Sequence, residues 1–205
     1  MKKLFNLSMA VMAGAVLSAC ASTFQTYYAN PVPPAEARQW HVSQVQVTVP
    51  DTLVVSESTN LIPNGDIVWH GDPDGNRKVQ VAKILKDAIT RGARGLHGGR
   101  SVKILVKLEK FHALSTSAEA LQVDNVGVHN INFVIAIVDA HSNVVLVKPE
   151  EMDASLPALT GDIAARAAQE GKTEKVLIED HVAATIAGWL GTGPDIRGTF
   201  QRVGD

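Results

Sequence analysis

Seven histidines are the first residues to weigh for chemistry: His41, His70, His97, His112, His129, His141 and His181. None stands in a metal-ligand spacing such as H-E-x-x-H. They read as scattered surface or internally satisfied side chains, and neither a metal nor another cofactor is expected. Asp72-Pro73-Asp74-Gly75-Asn76 offers the oxygens that calcium favours. A calcium-binding helix-loop-helix needs glycine at its sixth loop position and a bidentate Glu at its twelfth; here glycine is fourth and the twelfth residue is Lys83. A turn feeding a helix suits Asp, Pro, Gly and Asn better. The segment from Gly92 to Ser101 is glycine-rich and carries Arg94 and Arg100 near Arg91, which could meet an anionic head group. It lacks the phosphate-loop spacing, has Arg100 where the lysine belongs, and follows a helix rather than a strand. A helix end and a solvated connection fit it better. There is no G-x-S-x-G element, and Asp139 with His141 is only a strand end meeting a turn. No catalytic residue is assigned, and a non-enzymatic protein is expected.

Cys20 is different. Lys2 and Lys3 form a positive start, and Leu4 to Val16 is apolar apart from Asn6 and Ser8. That run is too short to span a bilayer core of about 30 Å, but it suits the core of a secretory signal. Leu17-Ser18-Ala19-Cys20 follows and resembles the bacterial lipobox, a leucine and two small residues before an invariant cysteine. The resemblance implies diacylglyceryl transfer to the Cys20 thiol, cleavage before Cys20, and acylation of the new amino group. Several acyl chains on one residue give stable attachment where one chain is marginal. Cys20 is also the only cysteine of the chain, so no disulfide is available and the domain must be held by its core.

Composition bounds the rest. The 205 residues suit one domain with flanking segments. The hydrophobic fraction of 45% is that of a globular protein. A formal net charge of −2 argues against electrostatic binding to nucleic acid.

The elements follow from periodicity. Residues 1–19 read as signal peptide and 20–39 as lipidated cysteine plus flexible tether, with Pro31, Pro33 and Pro34 along it. Such a tether would reach about 60–70 Å extended and about 25 Å as a coil, standing the domain off the membrane, with Tyr27 and Tyr28 available to the lipid interface. Residues 40–191 read as one α/β periplasmic domain, and 192–205 as an exposed tail docked through Ile196 and Phe200. Strands are expected around Val45–Val49, Val102–Leu108, Asn130–Asp139 and Val144–Val147, where apolar residues alternate or run continuously. Leu53–Val55 is a candidate short strand, and Ile67–Trp69 should pack back from a long loop. Val81, Ile84, Leu85, Ala88 and Ile89 define an amphipathic helix with Gly92 as its cap. Ile163–Gln169 suggests a short helix and Thr173–Leu190 a long one. The fold class expected is α+β: a two-layer sandwich, mainly antiparallel, of about four strands with two amphipathic helices on one face.

Two resemblances bear on function. Asp66-Ile67-Val68-Trp69-His70-Gly71-Asp72-Pro73-Asp74-Gly75-Asn76-Arg77, then Gln80-Val81, resembles a block recurring in uncharacterised alphaproteobacterial lipoproteins. Trp189-Leu190-Gly191-Thr192-Gly193-Pro194-Asp195-Ile196-Arg197 does likewise. The lipobox, tether and element order are similar to ABC-type transport auxiliary lipoproteins. These resemblances imply an envelope lipoprotein that docks a protein partner or assists lipid transport or outer-membrane assembly. Ala21 follows Cys20, whereas Asp there marks inner-membrane retention, so an outer-membrane, periplasm-facing location is expected. The alternative expectation is a lipid- or small-ligand-binding module whose cavity, between helices and sheet, is lined by Leu85, Ile89, Ile186 and Trp189.

Overall fold

A computed structural model describes residues 23–123 and 127–201. Cys20, the segment read as signal peptide and the last four residues lie outside the described residues. Alternating apolar residues build the centre of the fold. In β4 (Arg100–His112), Val102, Ile104, Val106 and Leu108 turn inward; in β5 (Gly127–Asp139), Ile131, Phe133, Ile135 and Ile137 do so. These two long strands pair antiparallel, with Ile104 opposite Ile137. β2 (Trp40–Thr48) lies parallel to β4, because the chain returns from β2 to β4 through the helix α2 (Arg77–Gly92). On the other side of β5 comes β6 (Val145–Ala154), then β1 (Thr23–Tyr28), then β8 (Gly198–Gln201), all antiparallel. The two-residue β3 (Ile67–Val68) extends the β4 edge beyond β2, and β7 (Leu156–Ala158) extends the β5 edge beyond β6.

The expected sheet is therefore corrected. Among the described residues the fold is α+β with one mixed eight-stranded sheet and five α-helices, not about four mainly antiparallel strands with two helices. The further helices are α1 (Pro34–Ala37), α3 (Thr116–Glu119) and α4 (Gly161–Gln169), beside α5 (Glu174–Trp189). The flanking segments differ as well. Residues read as tether carry β1 and α1, and residues read as an exposed tail carry β8, with Phe24 stacked on Phe200 at 5.9 Å. Tyr28 is fully buried and donates to Asp195 Oδ1 at 3.0 Å, so it is not available to a lipid interface.

The helices close the core. α2 is capped by Asn76, whose side chain accepts from Val79 N. Its inner face, Val81, Ile84, Leu85, Ala88 and Ile89, is buried together with Ile178, Val182, Ile186 and Trp189 of α5. Each fully buried Ile or Leu contributes about 1.5–3 kcal/mol. Gly92 is no left-handed cap, because its φ is −62°. It is glycine because a Cβ there would stand 2.4 Å from Ala183 O, on the backbone of α5. Gly92→Leu should cost about 1–3 kcal/mol through overpacking, whereas Gly99→Ala, which meets nothing within 4 Å, should leave thermal stability almost unchanged; thermal denaturation of both variants checks the contrast.

Candidate functional site

β4 ends, β5 begins and β7 ends at the same edge of the molecule. At that end α4 and the start of α5 leave a cleft of about 520 Å³. Its walls are mainly apolar: Leu114, Leu159, Ala164, Ala167, Ala168 and Leu177. α4 presents alanines, which is why the cleft stays open beside a helix. Next to the cleft, Gly127 lets Leu114 and Ala158 approach the backbone closely. A Cβ on Gly127 would lie 2.7 Å from Leu114 Cδ2 and 2.9 Å from Ala158 Cβ.

Two titratable residues, His129 and Glu174, are buried at the floor of the cleft, while Glu119, Lys172 and Lys175 also line it. His129, on β5, is 1% exposed. Glu174 is the first residue of α5, which Thr173 caps by accepting from Val176 N. Its Oε1 accepts from Leu114 N at 3.0 Å and lies 3.5 Å from His129 Nδ1. That spacing resembles an ion pair, but burial argues otherwise. Loss of hydration pushes the His129 imidazole down to about 3, with His181 adding like-charge repulsion. Loss of hydration and the nearby Glu119 carboxylate push Glu174 up to about 8. Both groups are thus neutral at pH 7. At 3.5 Å they make no proper hydrogen bond, and buried His129 Nδ1 and Glu174 Oε2 have no protein partner. Buried polar atoms of this kind call for a reason, since most are satisfied. The pair can offer a ligand both a donor and an acceptor without a net charge.

The rim is polar. Lys175 Nζ donates to Asp72 Oδ1 at 2.8 Å, and Trp69 Nε1 donates to Asp72 Oδ2 at 2.9 Å. Lys175 and these contacts hold Asp72 below its usual range, against the opposing cost of burial. The block from Asp66 to Arg77 thus works as a clamp rather than a calcium loop. Arg77, only 5% exposed, bonds Glu57, Asp74, Gln80 and the carbonyls of Asp72 and Pro73. A second cavity of about 280 Å³ adjoins the cleft at Leu114 and is lined by Leu61, Ile62, Pro63, Ala118 and Leu121.

The other expected sites fall elsewhere. Cys20 lies outside the described residues. Leu85, Ile89, Ile186 and Trp189 form plain core and line neither of these cavities. The glycine-rich segment builds no shared anion cradle: Arg91 pairs with Asp180 and Arg100 with Asp139. Asp139 Oδ1 accepts from His141 N, Ser142 N and Ser142 Oγ, which closes a turn. His181 Nε2 lies 2.9 Å from Thr26 Oγ1. Among the described residues no group of three His, Cys, Asp or Glu could hold a metal ion, and no helix is long and apolar enough to cross a membrane. The cleft residues had one readable signal: His129 is in phase with Ile131, Phe133, Ile135 and Ile137, so strand alternation alone turns it inward.

Fold and site together define an α+β domain with an apolar, polar-floored cleft at one end of a mixed sheet. The chain belongs to the family of unknown function DUF6778, whose model matches residues 40–205. No curated protein matches it. Among solved structures, it is similar to a Xanthomonas campestris protein of family DUF330, with 13% identity and a TM-score of 0.46, covering 81% of this chain and 90% of that one. A Caulobacter crescentus protein described provisionally as a lipoprotein shares 16% identity at a TM-score of 0.31, over 54% and 83% of the two chains. The PelC dodecamer of Paraburkholderia phytofirmans gives 9% and 0.35, over 83% and 97%.

The raised Glu174 has a thermodynamic consequence. A carboxyl with its folded value at about 8, against an ordinary 4.5, contributes stability that is complete below pH 4.5 and lost as pH rises through 8. His129 contributes in the opposite sense, its share being present above pH 6.5 and lost as pH falls toward 3. Glu174→Gln should therefore flatten the fall in Tm between pH 6.5 and 8.5, an effect on the order of a few kcal/mol, measured by calorimetry across that range.

Proposed function

We propose that this protein is a non-enzymatic, lipid-anchored component of the cell envelope that holds an acyl chain or similar apolar ligand in the cleft beneath α4. The observation that carries this reading is the cleft itself. It joins a mainly apolar wall to a floor where His129 Nδ1 and Glu174 Oε2 are buried without a protein partner. Ligand sites typically pair a largely apolar lining with a few placed polar groups. A neutral floor suits a ligand's hydroxyl, ester or protonated carboxyl group, because no buried charge then stays uncompensated. The lipobox at Leu17–Cys20 supplies the membrane attachment, and Ala21 supports the outer membrane as its destination. The role that fits is an accessory in lipid transport or outer-membrane assembly, with a lipid or a second envelope protein as its partner.

The mature chain with Cys20→Ser, exported behind an ordinary secretory signal, provides material without its own acyl chains. Native mass spectrometry should find about one co-purifying acyl lipid per chain. Ala164→Trp, which fills the cleft from the α4 wall, should remove that mass while leaving the fold intact by circular dichroism. Bare protein in both samples would refute lipid binding.

A further inference from the structure

β1 points its N-terminus to the cleft end of the sheet. Thr26 stands opposite Ala154. The strand that continues from Ala154, β7, pairs with Gly127–His129; His129 lines the cleft, and Gly127 and Val128 line the adjoining second cavity. Following β1 backward from Thr26 to Thr23 therefore leads toward the level of β7 and the β5 start. Only Ala21 and Ser22 separate Thr23 from Cys20 in sequence. Three peptide units reach at most about 10 Å, far less than a tether of twenty residues. The same end carries the most exposed large apolar side chain of the described residues, Ile62 at 79%, beside Leu61 at 52%. Both border the second cavity, next to Leu114 and Gly127.

From this register we infer that the cleft end of the domain rests on the membrane surface, with Leu61 and Ile62 entering the lipid and the cleft mouth opening toward it. The inference rests on acylation of Cys20. An anchor attached two residues from the sheet holds this end at high local concentration near the bilayer, so the two apolar side chains engage without a separate encounter. The surrounding charges are mixed, as in the Lys172–Glu170 pair, so apolar insertion and the anchor, rather than attraction to anionic lipid, fix the orientation. The β5–β6 turn at His141 marks the far end. β5 has 13 residues, which places that turn about 40 Å away.

Acylation would block the thiol of the only cysteine, so an introduced cysteine becomes the unique labelling site. Ile62→Cys and His141→Cys, both at exposed positions, are made in the lipidated full-length protein. Each is labelled with a polarity-sensitive fluorophore and placed in vesicles of phosphatidylethanolamine and phosphatidylglycerol. The label at 62 should shift to the blue and be quenched by lipids brominated on their acyl chains, while the label at 141 keeps its emission in water. Flotation with the vesicles while both labels remain in water would overturn the inference and leave the anchor standing. So would quenching at 141 in place of 62. If the unmutated chain itself takes up label at Cys20 and fails to float, the anchor reading is lost, and this inference with it.

Discussion

β1, paired between β6 and β8, ties the segment that follows Cys20 to the C-terminal strand across one sheet. Thr23–Tyr28 brings the N-terminal segment into the sheet rather than leaving it beside the domain. Its contacts are specific. Thr26 Oγ1 donates to Ser155 O at 2.9 Å. The Tyr28 ring carries the Arg197 guanidinium at 4.7 Å, and Arg197 is held in turn by Asp195. Trp189 of α5 donates to Asn30 O, just beyond the strand. The strand, the end of α5 and the C-terminal segment therefore lock one another. Removing any one leaves buried polar groups without partners, which costs more than the bonds themselves return on average.

The other end of the molecule is held by the segment from Asp66 to Arg77. Arg77 is buried, and a buried guanidinium is tolerated only when its donors are met. Glu57, Asp74, Gln80 and two carbonyls meet them here. Trp69 packs edge-on against Phe111 at 5.8 Å and ties Asp72 to the same cluster. Through Lys175 this clamp reaches α5 and sets the rim of the cleft. The two blocks that stand out in the sequence are thus clamps, one at each end of α5. Their Asp, Trp and Arg content serves positioning before any direct chemistry.

Long periodic segments were legible in the sequence for a plain physical reason. β4 and α2 bury one face each, and burial writes itself as a period of 2 or 3.6, while β5 and α5 stand out as long apolar runs. The short strands were not legible, because their partners are distant. β1 has a buried Thr26 and Tyr28, but prolines follow it, and its neighbours come from residues 152–154 and 198–201. β6 and β7 look irregular in sequence because Ser155 interrupts them. Its Oγ accepts from Ile131 N and so replaces a backbone ladder bond. Parallel pairing of β2 with β4 leaves no local trace either. The cleft was the least legible part. Its wall depends on where α4 falls, and the alanines of α4 read as an ordinary helix until Leu114 and His129 line the same cleft.

If Cys20 is acylated as proposed, β1, which begins at Thr23, seats the domain on the membrane rather than leaving it held away on a flexible arm. Neutron reflectometry of the lipidated protein on a supported bilayer tests that directly. Protein density that begins at the lipid headgroups, with no intervening water layer, is the expected result. A hydrated gap of about 25 Å, the span of a twenty-residue coil, would contradict it.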